Sequence, residues 1–255
     1  MFALLLAGQT AHAAPITVTV DGKALSGEAL VVDGTTYVPL VPLLEALGGW
    51  ETTWDQLTAT ATAVTGLFRL DVLTRDNRIL IDGYAFDTGA DVFVHDGRTY
   101  VPLRAAANLL GAGVEWAGWD VPIAVSTVPA AEYTEEDLYW LSHIISAESQ
   151  GEPLLGQIAV GNVVLNRLAS ELYPDTIEEV IFDVQDEVIQ FEPVGNGTVY
   201  NPPTEQSVLA ARMSLNGTDV AGPCKFFFAP ALSPGTWIRE NCTYYMTIGC
   251  HEFYQ

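Results

Sequence analysis

The chain contains one eight-residue motif twice, and this internal repeat limits its possible folds more than any other feature. Segment 33–40 reads DGTTYVPL and segment 96–103 reads DGRTYVPL, so seven of eight positions are identical at an offset of 63. A repeat this close indicates two copies of one structural unit. The Asp-Gly pair that opens each copy is typical of a tight β-hairpin turn.

The surroundings of the motif are also repeated. A short strand-like segment that ends in an Asp-Gly turn precedes each copy, at 20–22 and at 81–83. An apolar, helix-like segment follows each copy and ends at a glycine, Gly48 in the first copy and Gly111 in the second. Each unit closes with a Trp-Asp pair and a β-rich tail. The sequence therefore predicts a small α+β unit of strands, one helix and further strands, used twice.

This duplicated unit, with its Tyr-Val-Pro-Leu signature, resembles the copper amine oxidase N-terminal-like domain over residues 15–127, which we call the duplicated module. The name suggests copper, but the region contains no cysteine and one histidine, His95, which are too few ligands for a copper site. We therefore expect no metal there and interpret the module as a non-catalytic spacer or a wall-contacting domain. Residues 128–134, with proline, small residues and no periodicity, are predicted to form a linker.

Charge and the N-terminal segment limit the partners and the location. The chain has 10 basic and 32 acidic side chains, a formal net charge of −22 at pH 7. Because phosphate binding needs a basic surface, we expect no nucleic acid partner. Residues 1–13 join a short apolar run to Ala-His-Ala, so we interpret them as a signal peptide, truncated before its basic region, of an exported protein. No later segment is long and apolar enough to span a bilayer.

The cysteines suggest a disulfide and no metal site. Cys224, Cys242 and Cys250 all lie near the C-terminus and have no Cys-x-x-Cys spacing. In an exported protein we expect one disulfide among them, with one thiol left over. All three pairings are open at this point.

The second part of the chain opens with a predicted helix from the cap residue Thr134 to about Gln150, in which Asp137 can close a capping box. Glu148 lies about 20° from Leu141 around this helix, at 3.6 residues per turn. Leu141 belongs to a predicted apolar face, and a polar face lies opposite. The apolar face holds Leu138, Leu141, Ile144 and Ile145, and the polar face holds Ser142, His143, Ser146 and Gln150.

Glu148 is a candidate catalytic acid because of this position. A carboxylate on an apolar face loses hydration, so its pKa rises. A raised pKa is what a general acid needs near neutral pH. The alternative is that Glu148, which lies near the end of the helix, turns its side chain out to water.

The residues around Glu148 belong to a longer pattern. The pattern AExxGE at 147–152 is followed by GQxAVxxVVLNR at 156–167, and a buried second helix is predicted over 157–168. This arrangement resembles the catalytic domain of spore cortex-lytic cell wall hydrolases. The resemblance continues through FEPV at 191–194, FFFAP at 226–230 and the closing segment at 248–254, and it spans nearly all of 135–254.

The resemblance implies a mainly α, lysozyme-like fold with a small β element over 135–255, which we call the second domain. It also implies a glycosidase that acts on peptidoglycan glycan strands. The family's catalytic acid falls on Glu148, which would protonate the glycosidic oxygen between N-acetylmuramic acid and N-acetylglucosamine. In lytic members the 6-hydroxyl group of muramic acid then attacks the anomeric carbon and leaves a 1,6-anhydro product, so one carboxyl group can suffice. Two questions stay open: water or the 6-hydroxyl as the attacking group, and vegetative wall or spore cortex as the substrate.

Glu152 is a candidate for supporting the acid. It follows Glu148 by four residues on the same helix face, where two buried carboxyl groups would raise each other's pKa. Glu152 could instead cap the next helix or pair with Arg167.

Four more candidates lie farther along the chain. Phe191, Phe228 and Trp237 could stack on sugar rings or belong to the core. His251 could bind substrate by a hydrogen bond, orient a neighbouring side chain or be structural.

Two alternative functions compete with glycan cleavage. A zinc amidase would need a metal site, but beyond residues 1–13 the chain has only His95, His143 and His251 and no HExxH motif, so we expect no metal and no cofactor. A non-catalytic wall-binding or spore-binding protein would keep the fold without the activity, but the intact motif around Glu148 argues against it. We therefore expect an exported α+β protein with two domains and a metal-free general-acid mechanism.

Overall fold

The structure is a computed structural model that describes residues 16–118, 120–128, 133–185 and 187–255. The predicted signal peptide at 1–13 and most of the predicted linker at 128–134 lie outside the described residues. The chain is a mixed α+β protein, as predicted, with strands dominating before the linker and helices after it.

Strands and two short helices form the duplicated module. The strands are β1 (Val18–Val20), β2 (Lys23–Ala24), β3 (Leu30–Val32), β4 (Thr35–Pro39), β5 (Glu51–Asp55), β6 (Thr60–Val64), β7 (Arg69–Leu73), β8 (Arg78–Ile81), β9 (Tyr84–Phe86), β10 (Phe93–His95), β11 (Arg98–Pro102), β12 (Gly113–Glu115) and β13 (Ile123–Ser126). The helices are α1 (Leu40–Leu47) and α2 (Leu103–Leu109), and each begins where a copy of the repeated motif ends.

Tight turns at Asp-Gly pairs shape this module. Two-residue turns join β1 to β2, β3 to β4, β8 to β9 and β10 to β11. The φ angles are 45–49° at the four aspartates and 72–88° at the four glycines that follow them. Positive φ at both central residues is the geometry of a type I′ turn, which matches the twist of the strands it joins. The hairpins predicted at 33–34 and 96–97 are therefore confirmed.

The two copies meet at their repeated motifs. Hairpins β3-β4 and β10-β11 form one four-stranded sheet, in which β4 and β11 pair in antiparallel orientation. Val38 pairs with Val101, its own counterpart in the other copy, and both side chains are fully buried. An approximate twofold axis therefore passes through this pair.

The outer sheets exchange strands between the copies. Hairpin β1-β2 of the first copy joins β12-β13 of the second, with β1 parallel to β13. Hairpin β8-β9 of the second copy continues the β5-β6-β7 sheet of the first. Because each copy completes a sheet of the other, neither closes its core alone.

The second domain is mainly helical with small sheets. Its helices are α3 (Glu135–Ser149), α4 (Leu154–Leu168), α5 (Ile177–Ile181), α6 (Glu192–Asn196), α7 (Glu205–Leu215) and α8 (Thr236–Asn241), with a 3₁₀ helix, η1 (Thr198–Tyr200). Its strands are β14 (Val184–Gln185), β15 (Val188–Ile189), β16 (Phe226–Phe228), β17 (Tyr244–Ile248) and β18 (His251–Tyr254). Strands β14 and β15 form a hairpin, and β16, β18 and β17 form a three-stranded sheet.

Helix α3 has the predicted capping box at Thr134 and Asp137, but its predicted polar face is wrong. Ser142, His143 and Ser146 are buried together with the apolar residues of the opposite face. The reason is tertiary packing, because α4, α5, α7 and η1 all contact α3.

Helix α4 starts at Leu154, earlier than the predicted start at 157. The cause is Pro153, whose carbonyl oxygen accepts hydrogen bonds from the backbone N–H groups of Gly156 and Gln157. Pro153 therefore acts as the cap that precedes the first turn.

The expected disulfide is not formed, and Cys224, Cys242 and Cys250 are free thiols. They lie in separate places: Cys224 is buried just before β16, Cys242 follows α8, and Cys250 is exposed in the turn between β17 and β18. Burial raises the pKa of the Cys224 thiol to about 11, and the carboxylate of Glu152 raises the pKa of the Cys250 thiol. Both shifts disfavour the reactive thiolate.

The duplicated module packs directly against α7 of the second domain and the segment after it. Nε2 of Gln206 donates a hydrogen bond to the Leu67 carbonyl oxygen at 3.2 Å, and the hydroxyl of Thr218 donates one to the Asn108 carbonyl oxygen at 3.2 Å. A Cβ on Gly111 would lie 2.9 Å from a methyl group of Leu209, so the backbone just after α2 approaches α7 closely. In the part of the chain that is described, no helix is long and apolar enough to cross a membrane.

Candidate active site

Glu148 lies in the last turn of α3, and the residue is half-buried. Burial is the main reason why its pKa rises to about 7; the negative charge of Glu192 adds to the rise, and the positive charge of Arg167 opposes it. Glu192 opens α6 and Arg167 lies in the last turn of α4, so three helices assemble this group. A carboxyl group with a pKa near 7 can donate a proton at neutral pH.

Arg167 is a buried cation in this site, with 4% of its surface exposed. Its Nε donates a hydrogen bond to the Lys225 carbonyl oxygen at 2.8 Å, and its guanidinium lies 4.8 Å from the centre of the Phe191 ring. Its Nη1 is buried and has no hydrogen-bond partner among the described residues. Arg167 therefore brings to the site a positive charge and one unused donor.

Glu152 binds the turn between β17 and β18. Its Oε2 accepts a hydrogen bond from the backbone N–H of Cys250 at 2.8 Å. Within the described residues it forms no ion pair with Arg167, and it makes no cap hydrogen bond at the start of α4. The carboxylate that raises the pKa of Glu148 is that of Glu192. Glu152 thus ties the connection between α3 and α4 to the last hairpin of the chain.

His251 packs behind this connection, with 7% of its surface exposed. Its Nδ1 lies 3.8 Å from Oε1 of Glu152, too far for a hydrogen bond, and its ring meets the Phe227 ring edge-on at 5.4 Å. Burial lowers the pKa of His251, and the charge of Glu152 partly opposes this. His251 is therefore held neutral near pH 7 in an enclosed position.

The three candidate stacking residues differ in exposure. Phe191 is 2% exposed, and its ring packs against the guanidinium of Arg167. Phe228 is 8% exposed and stacks on Tyr254 at 5.7 Å. Trp237 is 60% exposed and contacts Phe226, whose ring in turn lies 5.6 Å from the Arg167 guanidinium. Of the three, Trp237 has an open ring surface.

Comparison with known proteins gives matches in both parts of the chain. Residues 151–254 match the Cell Wall Hydrolase family, and residues 19–123 match the Copper amine oxidase N-terminal domain family. The cell wall hydrolase CwlJ of Bacillus subtilis is 30% identical over 130 residues, which cover 48% of this chain and 87% of CwlJ. The chain belongs to the cell wall hydrolase family. Both resemblances expected from the sequence are confirmed.

This cell wall hydrolase family member is also similar to longer proteins. A spore cortex-lytic enzyme of Halalkalibacterium halodurans is 36% identical over 113 residues, 44% of this chain and 33% of that enzyme. The spore cortex-lytic enzyme of Bacillus subtilis is 33% identical over 132 residues, 51% of this chain and 41% of that enzyme. The chain thus spans about a third to two fifths of the length of these relatives. The solved catalytic domain of the germination-specific lytic transglycosylase SleB from Bacillus anthracis is 34% identical and covers 50% of this chain and 100% of that domain, with a TM-score of 0.45.

The effect of Glu192 and Arg167 on the pKa of Glu148 was not predicted from the sequence of this family member. Both residues were visible in the motifs, in FEPV at 191–194 and LNR at 165–167. No helical or strand spacing relates either residue to Glu148, because each lies on a different helix. Only the packing of α4 and α6 against α3 brings their charges close to Glu148.

No cluster in the described part of the chain has the composition of a metal site. The described residues contain no group of three or more His, Cys, Asp or Glu side chains that could hold an ion.

Proposed function

We propose that this protein cleaves the glycan backbone of peptidoglycan by lytic transglycosylation, with Glu148 as the general acid. The observation that carries the proposal is a glutamate in the AExxGE motif of the family whose pKa is raised to about 7 by burial and a neighbouring carboxylate. We also propose that residues 15–127 and 135–255 act as two domains of one exported protein, associated with the cell wall or the spore.

The first chemical step uses the proton of Glu148. Near pH 7 about half of the molecules hold this carboxyl group protonated, so the acid is present at neutral pH. Glu148 donates its proton to the oxygen between N-acetylmuramic acid and N-acetylglucosamine. The bond from the anomeric carbon to that oxygen breaks, and positive charge develops on the sugar ring.

The second step returns the proton. The 6-hydroxyl oxygen of the same muramic acid bonds to the anomeric carbon and forms the 1,6-anhydro ring, and its proton passes to the carboxylate of Glu148. No water is consumed, and the enzyme ends in its starting state. The buried guanidinium of Arg167 stabilises Glu148 while it is ionised between the two steps.

The other site residues have supporting roles in this proposal. Glu192 favours the protonated form of Glu148 before reaction, and Phe191 holds the guanidinium of Arg167 in place. Trp237 offers an open ring on which a sugar can stack. Phe228 stacks on Tyr254 and so supports strand β16.

Glu152 and His251 support the site through the backbone. The hydrogen bond from Cys250 to Glu152 fixes the connection that follows Glu148, and His251 fills the space beside it. The names of the similar enzymes, spore cortex-lytic, favour spore cortex peptidoglycan as the substrate and germination as its setting.

The proposal is tested with the full chain, purified peptidoglycan and a chelator in the buffer. The parent protein should release soluble fragments, and Glu148→Gln should lose activity by at least a factor of about 1,000 while still sedimenting with the wall, because a general acid and its return step are both removed. An active Glu148→Gln protein would refute the assignment of the acid. Loss of the parent's activity in chelator would favour a metal-dependent amidase, and an inactive parent that binds wall would favour the binding protein.

A further inference from the structure

A cleft of about 850 Å³ lies where the duplicated module meets the second domain. Helix α2, the loop 86–90 and the segments around β12 and β13 form its walls on one side, and the segment 217–219 closes it on the other. None of the candidate active-site residues lines it. The proposed function leaves this cleft without a role.

Apolar side chains and polar residues of several hydrogen-bonding types line the cleft together. The polar lining residues include Arg104, Asp87, Asp219 and Asn108, and the half-exposed Trp116 lies beside them. Hydroxyl groups are also abundant, at Thr17, Thr35, Thr36, Thr88 and Thr218. One cation, two carboxylates and many neutral polar groups make a surface that is unfavourable to a polyanion and suited to an uncharged polar ligand.

The charged groups of the cleft are held by their own backbone. Oδ1 of Asp87 accepts a hydrogen bond from Gly89 N–H at 2.8 Å. Oδ1 of Asp219 accepts two, from Ala221 and Gly222 N–H at 3.0 and 2.9 Å. Each carboxylate is thereby oriented by one oxygen, and the second oxygen has no hydrogen-bond partner among the described residues. Groups fixed in this way lose little freedom when a ligand binds.

Nη1 of Arg104 is fixed similarly, because it donates to the Val114 carbonyl oxygen at 2.7 Å. The opposite wall is also fixed: the Thr218 hydroxyl bonds to the Asn108 carbonyl oxygen, and Nδ2 of Asn162 donates to the Thr218 carbonyl oxygen at 2.9 Å. The cleft is therefore a pre-formed site between two packed domains.

The duplication provides an internal comparison. Arg104 and Asn108 lie on α2, and the same positions of α1 in the first copy hold Val41 and Glu45. The first copy thus lacks the hydrogen-bond donors that α2 supplies. In the second copy, these donors line the cleft together with segment 217–219. These polar side chains therefore occur in the copy whose helix lies next to the second domain.

We propose that this cleft binds a short segment of uncharged, N-acetylated glycan, so that the duplicated module holds a wall polysaccharide while the second domain acts on it. Sugar hydroxyls both donate and accept, which matches the carboxylates and the amide, and the apolar face of a sugar ring matches the ring of Trp116. The volume lies within the range of pockets that enclose small ligands. The proposal does not depend on the chemistry at Glu148.

The test uses the N-acetylglucosamine tetramer as probe and the full chain with Glu148→Gln, followed by isothermal titration. Trp116→Ala should weaken tetramer binding at least tenfold. Trp54→Ala is the matched control, because Trp54 is an indole of similar exposure in the first copy, outside the cleft. Its affinity should stay within twofold of the parent.

A second variant keeps the test informative if Trp116→Ala does not fold. Arg104 is exposed, so Arg104→Ala should keep the circular dichroism spectrum and still weaken tetramer binding severalfold. Equal affinities for Trp116→Ala and Trp54→Ala would overturn the proposal, because a tetramer bound near Glu148 alone would not distinguish them. Absence of tetramer binding by the Glu148→Gln chain would overturn it as well. Residual cleavage by Glu148→Gln would count against the proposed function only.

Discussion

The raised pKa of Glu148 has a consequence for folding. In the unfolded chain a glutamate has a pKa of about 4.3, and in the folded chain Glu148 has a pKa of about 7. Between these values the folded state binds a proton that the unfolded state has released, so stability falls as the pH rises through this window. The ionised carboxylate therefore weakens the fold above about pH 7.

This gives a prediction for Glu148→Gln, which cannot ionise. The variant should match the parent near pH 4 and exceed its free energy of unfolding by about 1–3 kcal/mol at pH 8, after allowance for solvent near the site. Urea denaturation across this pH range measures the difference. Stability curves that stay parallel from pH 4 to pH 8 would contradict the raised pKa.

A second prediction concerns the effect of Glu192 on the pH–activity profile. Its negative charge raises the pKa of Glu148, so Glu192→Gln should lower that pKa and move the alkaline limb of the pH–activity profile to lower pH. Glu178→Gln is the control, since Glu178 is an exposed carboxylate on α5 that does not contribute to the pKa shift of Glu148. Two profiles with the same alkaline limb would rule out this role for Glu192.

Glu148 could be singled out from the sequence because its position depends on helical spacing within α3. The contributions of Glu192 and Arg167 could not, because they depend on how α4 and α6 pack against α3. The same holds for Glu152. Helical spacing predicted its carboxylate beside Glu148, but in the folded chain this carboxylate accepts a hydrogen bond from the backbone N–H of Cys250.

At the scale of elements, the start of α3 is set by a capping box that the sequence predicted. The Thr134 hydroxyl accepts a hydrogen bond from Asp137 N–H, and the Asp137 carboxylate accepts one from Thr134 N–H. Thr134→Ala should lower the free energy of unfolding by about 1 kcal/mol in urea denaturation, whereas Thr134→Ser, which keeps the hydroxyl, should lose a few tenths at most. Equal losses for the two variants would show that the cap hydroxyl is not what stabilises α3.

Local signals predicted the elements well where a few adjacent residues decide the structure. The Asp-Gly turns follow from the need for positive φ at two successive residues, and the ends of α1 and α2 follow from glycine. Strand partners were not predictable in this way. The exchange of hairpins between copies, which pairs β1 with β13 across the whole module, depends on closing both cores together.

At the scale of the whole molecule, the duplicated module and the second domain share a packed interface. Gly111 lies in it with a φ of +74°, and an added Cβ would meet Leu209. Gly34, with a φ of +79°, has open space around it and serves as the control. Both alanine variants lose stability from backbone strain, but Gly111→Ala should lose roughly 1–2 kcal/mol more, because it also overpacks the interface. Equal losses in urea denaturation would show that an added methyl group at Gly111 does not overpack the interface.

Mass spectrometry of the soluble products is the decisive test of whether Glu148 drives an anhydro-forming cleavage of glycan strands. The full chain and Glu148→Gln are incubated separately with purified peptidoglycan at about pH 6, where Glu148 is mostly protonated. We expect 1,6-anhydromuramyl fragments from the parent and none from the variant. Reducing-end muramyl sugars from the parent, or anhydro fragments from Glu148→Gln, would contradict it.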